Sequence, residues 1–106
     1  MTSPNREILL MLIDNIEREM QTLALWDAQP PEQHAFQSNL PFFADTMSFA
    51  QWLQWVFLAR FRAILEGEHP LPNQCNIAPM AEEGIQHINQ DITALIALLK
   101  EFDNQF

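Results

Sequence analysis

Cysteine and glycine are scarce in this 106-residue chain, which contains one Cys and two Gly. A single thiol excludes an internal disulfide framework and a four-thiolate zinc site, and it suits a reducing compartment. Two glycines are too few for the glycine-rich loops that cradle phosphate groups. The chain therefore lacks the signatures of three common kinds of small functional domain.

Basic residues and long apolar runs are also scarce. Five Lys and Arg against 14 Asp and Glu give a net charge of −9, so direct nucleic-acid binding is not expected. Six consecutive apolar residues follow Glu7, which are too few for a secretory signal. No run approaches the ~20 apolar residues that span a bilayer. We therefore expect a soluble cytoplasmic protein that does not enter the membrane.

Apolar and aromatic residues, in contrast, are plentiful. The chain is 48% hydrophobic and contains 8 Phe and 3 Trp, a composition that argues against intrinsic disorder. A chain of this length buries roughly 60–70% of its unfolded surface, which is enough for a core without disulfides or metal. We expect one folded domain over residues 1–106.

The first segment has the pattern of an amphipathic helix. Ser3 and Pro4 suit an N-cap and a first helical position, and the helix is expected to end near Trp26, before Pro30 and Pro31. Apolar residues recur there at steps of three and four, at Leu9, Ile13, Ile16, Met20 and Leu23. The opposite face is acidic.

The second helix has the strongest start signal in the chain. Ser48 and Gln51 predict a capping box, and Met47 is expected to pack against Trp52 as a hydrophobic staple. The pattern continues to the residue before Gly67. On a wheel of about 100° per residue its apolar side chains occupy almost the whole circumference, which predicts a centrally buried helix.

Two more helices are predicted towards the end of the chain. A short one is expected from Met80 to His87, and a longer one follows Asn89 as its possible N-cap. The longer pattern places apolar residues at Ile92, Leu95, Leu99, Phe102 and Phe106. No segment alternates with period two, so we predict an all-α bundle of three long helices and one short helix.

Residues 27–47 are too rich in proline for a long helix and too apolar for a free loop. Connections of about 20 residues are unusual in compact domains. We expect this segment to be irregular and to pack between the first two helices, held by Phe36, Leu40, Phe42 and Phe43.

Arg60 falls between Phe49 and Val56 on the apolar side of the second helix. A buried guanidinium needs a partner, and Glu7 and Asp103 are the nearest suggestions. A buried ion pair at Arg60, an arginine that reaches solvent near the helix end, and an anion or partner site all remain open.

Trp55 is the reverse case, because it points into the polar sector of the same helix. Gln51, Arg62 and Glu66 flank it on the helical wheel. Either residues 27–47 or the short helix covers this side chain, or it is an exposed tryptophan of the kind enriched at binding hot spots.

Histidine and cysteine do not form a recognisable site. His34, His69 and His87 lack the spacing of a metal motif, so neither a metal nor a cofactor is expected. Cys75 could be paired with His69 as thiol and base, but an inert, partly buried thiol is the simpler interpretation.

Three segments carry a family resemblance. These are PFFADTM (residues 41–47), WLQWVFLAR (residues 52–60) and LPNQCNIAPM (residues 71–80). In these segments the chain resembles the YqcC-like family of small proteobacterial proteins. The resemblance covers nearly the whole chain. It implies a small all-helical bundle, assigns no active-site residue to this chain, and links it by neighbourhood and by name to tRNA pseudouridine synthase C.

Three functional hypotheses follow. The first is a non-catalytic interaction or accessory module, whose protein-binding surface would be Phe42, Phe43 and Trp55 with Asp45, Gln51 and Arg62 around them. The second is an enzyme or enzyme subunit acting on tRNA, with Asp45 in a pocket. The third is a homodimer that closes over the same aromatic patch and has a small-ligand role.

Overall fold

The first helix, α1, spans Arg6–Thr22 in a computed structural model that describes residues 5–67, 69–85 and 90–106. The Asn5 side chain caps it by accepting hydrogen bonds from the backbone N–H groups of Glu7 and Ile8, at 2.9 and 3.2 Å. The expected start at Ser3 and Pro4 lies outside the described residues.

The end of α1 comes four residues earlier than expected. The chain leaves the helix at Leu23, and Ala24 adopts a left-handed conformation with φ of 57°. The Leu25 N–H then bonds to the Met20 carbonyl at 2.8 Å, a closure typical of helix C-termini. The prediction of an end near Trp26 was therefore wrong, because no glycine or proline announces this turn.

Residues 27–47 form the irregular connection that the prolines predict, with two short 3₁₀ turns at Gln33–Gln37 and Pro41–Phe43. Phe36 and Phe43 pack against a small apolar cluster made by Ala35, Met47 and Val56. Leu40 remains exposed, so it does not hold the connection to the bundle as expected.

The second helix, α2, is continuous but changes its winding in the middle. It consists of an α-helical turn at Phe49–Trp52, a π-helical stretch at Leu53–Leu58 and a second α-helical part at Ala59–Glu66. A single π-turn adds one residue relative to an α-helix, so every later side chain is rotated by about 100° from its place on a regular wheel.

The rotation explains the apparent apolar circumference of α2. When one residue of the π-helical stretch is left out of the count, the buried residues of both halves fall on one face, namely Leu53, Val56, Phe61 and Leu65. The other side is open to solvent at Ala59, Arg60, Ala63 and Glu66. The prediction of a centrally buried helix was therefore wrong for the second half of α2, which is amphipathic, whereas none of residues 49–58 is exposed.

The short helix α3 spans Ile77–Gly84, and the last helix α4 spans Thr93–Asp103. The α3 helix begins three residues before the predicted Met80, because the Asp103 carboxylate accepts the N–H groups of Ile77 and Ala78, each at 2.9 Å. Pro79 is accommodated in this first turn, where its missing N–H removes no helical hydrogen bond. The predicted positions of His87 and Asn89 lie outside the described residues.

The core lies where α1 and α4 pack along each other and α2 and α3 close the bundle. The fully buried side chains include Leu9, Ile13, Ile16, Met20, Leu53, Leu58, Leu95, Leu99 and Phe102. The described ranges contain no β-strand, and the predicted all-α bundle of three long helices and one short helix is confirmed. None of the helices described is both long and apolar enough to span a membrane.

Candidate functional site

The two arginines of α2 have different environments. Arg62 is 30% exposed and pairs with two carboxylates of α1, Asp14 at 3.1 Å and Glu17 at 2.6 Å. Arg60 is exposed. Of the alternatives left open for Arg60, the structure supports an arginine that reaches solvent and contradicts a buried ion pair, because the π-turn rotates this residue out of the apolar sector and brings Arg62 towards it.

The environment of Arg62 favours its charged form. Burial lowers the pKa of its guanidinium, but the hydrogen bonds and negative charges of Glu17 and Asp14 outweigh burial and raise the pKa. This cation links α2 to α1 and so has a role inside the bundle.

Asp103, one of the partners suggested for Arg60, is committed to the N-terminus of α3. It also faces Cys75, which is half-buried. Burial, followed by the hydrogen bond and charge of Asp103, raises the pKa of the Cys75 thiol to about 12. A thiol that is protonated at neutral pH is a poor nucleophile, in agreement with an inert Cys75.

The six residues of the predicted interaction surface make separate contacts in the structure. Gln51 completes the predicted capping box, accepting from the Ser48 N–H at 2.9 Å, while the Gln51 N–H donates to the Ser48 hydroxyl at 3.1 Å. Asp45 is exposed and accepts a hydrogen bond from the Ser38 hydroxyl. Phe43 packs on the small cluster, and Arg62 faces α1.

Trp55 is half-buried. Its exposure is therefore intermediate between the two predicted alternatives, a covered side chain and an exposed tryptophan. Its indole N–H is shielded from solvent and has no hydrogen-bond partner among the residues that the structure describes. The ring therefore packs partly against the protein and does not form a fully exposed aromatic anchor.

Phe42 is the member of the predicted surface with the most distinctive geometry. Its φ of 56° is followed by a φ of 52° at Phe43, so two successive aromatic residues are left-handed. Its ring meets those of Trp52 at 4.8 Å and Phe49 at 5.8 Å between centroids. Left-handed backbone is unfavourable by roughly 1–2 kcal/mol per residue, and the packing of Phe42 opposes that penalty.

A groove opens beside Phe42, between the N-terminal end of α2 and the helix α3. We call it the α2–α3 groove; its volume is about 510 Å³. The residues that line it are mainly apolar: Phe42, Ala44, Met47, Ser48, Phe49, Met80, Glu83 and Gly84. Met80 is 40% exposed on its wall, an unusual position for a large apolar side chain beside other apolar groups.

Gly84 sets the width of this groove. A Cβ atom at this position would lie 2.6 Å from Cγ of Phe49, well inside van der Waals contact. The absence of a side chain lets the end of α3 approach the Phe49 ring closely. Phe49 is held in turn by the helix start that Ser48 and Gln51 cap.

The charged residues at the groove are acidic. Glu83 lines it and is exposed, whereas the neighbouring Glu82 is paired with Lys100 of α4 at 3.3 Å. Among the described residues that line the groove, none is Lys or Arg. The groove therefore combines an apolar floor with a negative edge.

Two residues that shape this end of the molecule were missed by sequence reasoning. Gln54 is 4% exposed and forms two hydrogen bonds with the backbone of Asp27, and Gly84 lies against Phe49. Gln54 looks like an ordinary polar helix residue, and Gly84 looks like a weak point in a short helix. The local sequence around each residue does not indicate the distant residue that it contacts.

Comparison with known proteins places this fold in a family. The model of family DUF446, described as tRNA pseudouridine synthase C, matches residues 8–105. The chain belongs to this family. The Escherichia coli protein YqcC is 33% identical over 107 residues, covering 100% of this chain and 95% of its own.

Two further similarities support the same assignment. An uncharacterised protein of Haemophilus influenzae is 42% identical over 95 residues, which are 87% of this chain and 90% of that protein. The solution NMR structure of YqcC from E. coli superimposes with a TM-score of 0.81 at 28% identity, covering 94% of this chain and 86% of that one. The family resemblance is therefore confirmed in both sequence and fold.

A different kind of match concerns part of a longer protein. The tRNA pseudouridine synthase C of Pectobacterium carotovorum subsp. carotovorum is 48% identical over 58 residues. These residues are 55% of this chain but only 15% of that protein. Most of the pseudouridine synthase therefore lies outside the similarity.

Proposed function

We propose that this protein is a non-catalytic accessory module that binds a tRNA pseudouridine synthase in the cytoplasm. The observation that carries the proposal is the match to the Pectobacterium protein, in which a similar segment and a much longer remainder form one polypeptide. Covalent linkage keeps two modules together at high effective concentration. A separate chain achieves the same association through a binding surface.

The chemistry of the described side chains supports a binding role better than a catalytic one. Asp45, the acid within the family motif, is exposed and bonded to Ser38, and Cys75 carries a raised pKa. The net charge of −9 opposes direct contact with the phosphates of tRNA. In this proposal the synthase contacts the RNA and the module contacts the synthase.

The test uses the full-length chain and the purified tRNA pseudouridine synthase C of the same organism. Size-exclusion chromatography with light scattering is expected to show a stoichiometric complex, and calorimetry is expected to give a saturable affinity. Absence of a complex at low salt and at micromolar concentrations would reject the proposal.

The alternative, an enzyme or catalytic subunit acting on tRNA, is separated by a second assay. The purified chain alone is incubated with tRNA, and pseudouridine is quantified by mass spectrometry of the nucleosides. Our proposal predicts no pseudouridine above that of a sample without protein. Formation that Asp45→Ala abolishes would establish the enzymatic alternative instead.

Self-association is a second candidate, favoured by exposed apolar side chains at one end of α1. Ile8, Leu10 and Met11 are all exposed there, and Met11 is 54% exposed. Light scattering over a wide concentration range distinguishes a homodimer from a monomer. A dimer that Met11→Glu dissociates would assign this end of α1 to contact between copies.

A further inference from the structure

We infer that the α2–α3 groove binds a segment of the synthase that presents a large apolar side chain beside a Lys or Arg. This inference rests on the proposed function and adds the location of the contact and the chemistry of the partner. Four properties of the groove lead to it: its exposed apolar wall, its size, its fixed floor and its charge.

The first property is the exposure of Met80. The α3 helix buries Ile77, Ala78 and Ala81 in the core, yet it leaves Met80 facing the groove at 40% exposure. A methionine side chain is flexible and polarisable, so it adapts to the shape of an apolar partner. Covering it removes apolar surface from water, which favours binding.

The second property is the size of the groove. A volume of about 510 Å³ falls within the ~300–1,000 Å³ range typical of sites that hold a compact ligand or a few anchoring side chains. An amphipathic segment that places its apolar residues in a groove uses sites of this kind. Phe42, Met47 and Phe49 provide the apolar surface opposite Met80.

The third property is a floor that is already ordered. Phe49 is fixed by the capping box at its own helix start, by the Trp52 ring at 5.6 Å and by the close approach of Gly84. Phe42 rests on the same two rings. A preformed floor loses little conformational entropy on binding, so more of the contact energy remains as affinity.

The fourth property is charge, and it selects the occupant. Glu83 is exposed at the groove and, among the described residues, has no cation within salt-bridge distance, whereas Glu82 is neutralised by Lys100. A Lys or Arg of the partner is therefore attracted to Glu83. The net charge of −9 extends this attraction beyond the groove and accelerates encounter with a basic surface.

The experiment measures the affinity of full-length variants for the purified synthase by calorimetry at two salt concentrations. Met80→Glu is expected to weaken binding by about tenfold or more, as for a central apolar contact. Glu83→Lys is expected to weaken binding severalfold and to reduce its salt dependence. Circular dichroism and thermal melting of each variant establish that the fold is retained.

Two control variants carry comparable changes elsewhere. Ala63→Glu introduces a negative charge at an exposed apolar residue of α2 that does not line the groove. Glu66→Lys reverses an exposed charge at the far end of α2, roughly 25 Å from Phe49 at 1.5 Å per residue. Both controls are expected to bind within about twofold of the unmodified chain, because ordinary surface changes have small effects.

A photo-crosslinker in place of Met80 identifies the occupant directly. The expected product joins position 80 to a synthase peptide that contains a large apolar residue next to Lys or Arg. Equal affinities for Met80→Glu, Glu83→Lys and the unmodified chain would overturn the groove assignment while leaving the accessory role intact. Crosslinks to a second copy of this chain would assign the groove to self-association and overturn the inference.

Discussion

Gln54 and Asp27 hold each other through two hydrogen bonds although 27 residues separate them in sequence. The Asp27 N–H donates to Oε1 of Gln54 at 2.9 Å, and Nε2 of Gln54 donates to the Asp27 carbonyl at 2.8 Å. The side-chain amide therefore acts as a backbone strand would, and it fixes the start of the irregular connection to the middle of α2.

This relationship predicts a large effect for Gln54→Glu. A carboxylate keeps the shape but cannot donate to the Asp27 carbonyl, and it introduces a charge at a site that is 4% exposed. We expect the free energy of unfolding at pH 7 to fall by about 2–3 kcal/mol, measured by urea denaturation. The loss should shrink as the pH falls, because burial raises the pKa of an acid and protonation restores a donor.

Gln51→Glu is the matched control for this change, three residues earlier in α2. Glu serves in a capping box as well as Gln does, and a negative charge is favourable at a helix N-terminus. We expect Gln51→Glu to change the free energy of unfolding by less than about 0.5 kcal/mol. Equal effects of the two substitutions would contradict a specific role for the Gln54–Asp27 pair.

Gly84→Ala should destabilise the protein even though alanine favours helix formation. The new Cβ would lie 2.6 Å from Cγ of Phe49, so α3 or the ring has to move, at an expected loss of about 1–3 kcal/mol in unfolding free energy. Gly67→Ala is the contrasting variant, because its Cβ would meet mainly the exposed imidazole of His69, which can turn away, and would lie 3.1 Å from the Ala63 carbonyl oxygen. Thermal denaturation should show a smaller loss of stability for Gly67→Ala than for Gly84→Ala.

The Gly84 effect should depend on the partner ring. In Phe49→Ala protein, the further change Gly84→Ala is expected to be much less harmful, and a double-mutant cycle measures that coupling. Additive effects would show that the two residues do not constrain each other.

Arg60→Ala and Arg62→Ala should differ in their effects on stability. Because Arg60 is exposed, Arg60→Ala is expected to change the free energy of unfolding by less than about 0.5 kcal/mol. Arg62 bridges Asp14 and Glu17, and its loss is expected to destabilise by about 1 kcal/mol, less at high salt. Denaturant titrations of both variants at low and high NaCl measure these losses of unfolding free energy. A larger loss for Arg60→Ala than for Arg62→Ala would contradict the shifted register of α2.

Cys75 should react slowly with iodoacetamide in the folded protein. Its pKa is raised from 9.0 to about 12, so at pH 8 the folded protein has roughly a thousandfold less thiolate than the unfolded chain. Because a more basic thiolate is also more nucleophilic, we expect alkylation to be roughly a hundredfold slower than in urea. Because the thiol ionises more readily when unfolded, its contribution to stability is complete below pH 9 and is lost as the pH rises towards 12. Comparable rates in the folded and unfolded protein would contradict the protected thiol.

Asp103→Asn separates the two causes of this shift. Removing the carboxylate should lower the pKa of Cys75 only partly, since burial is the larger cause. Cys75 of the folded Asp103→Asn variant should therefore be alkylated faster than Cys75 of the folded unmodified protein. It should still be alkylated more slowly than Cys75 of the unfolded variant. The same change weakens the N-terminal cap of Ile77 and Ala78, which thermal denaturation will register.

The features predicted correctly from sequence depend on neighbours along the chain. The capping box needs only Ser48 and Gln51, three residues apart. Met47 and Trp52, which were expected to form a staple, belong to the same small apolar cluster. The early start of α3 depends on Asp103, 26 residues away from Ile77, and no local pattern reveals it. For the same reason the α2–α3 groove, which unites two helices and a connection, was not predicted.

The arginines show a second limit of sequence reasoning. A helical wheel assumes one winding throughout, so a single π-turn misplaces every residue after it. One indication of the π-turn was present in the sequence, which was that apolar residues appeared on almost all sides of α2. Two half-helices whose apolar faces are offset by about 100° look apolar on all sides when they are plotted on one regular wheel. Leaving one residue of the π-helical stretch out of the wheel returns Arg60 to the solvent side and brings Arg62 towards the bundle.

The π-helical stretch Leu53–Leu58 also constrains how this family tolerates insertions and deletions. Removing one residue here would restore regular winding and leave Phe49 and Arg62 in nearly the same relative orientation, because the π-turn absorbs one extra residue. The ion pairs with α1 and the approach of Phe49 to α3 would both be retained, whereas a deletion elsewhere in α2 would turn one half by about 100° against the other. We therefore expect alignments of relatives to show a one-residue gap in this stretch more readily than in the rest of α2.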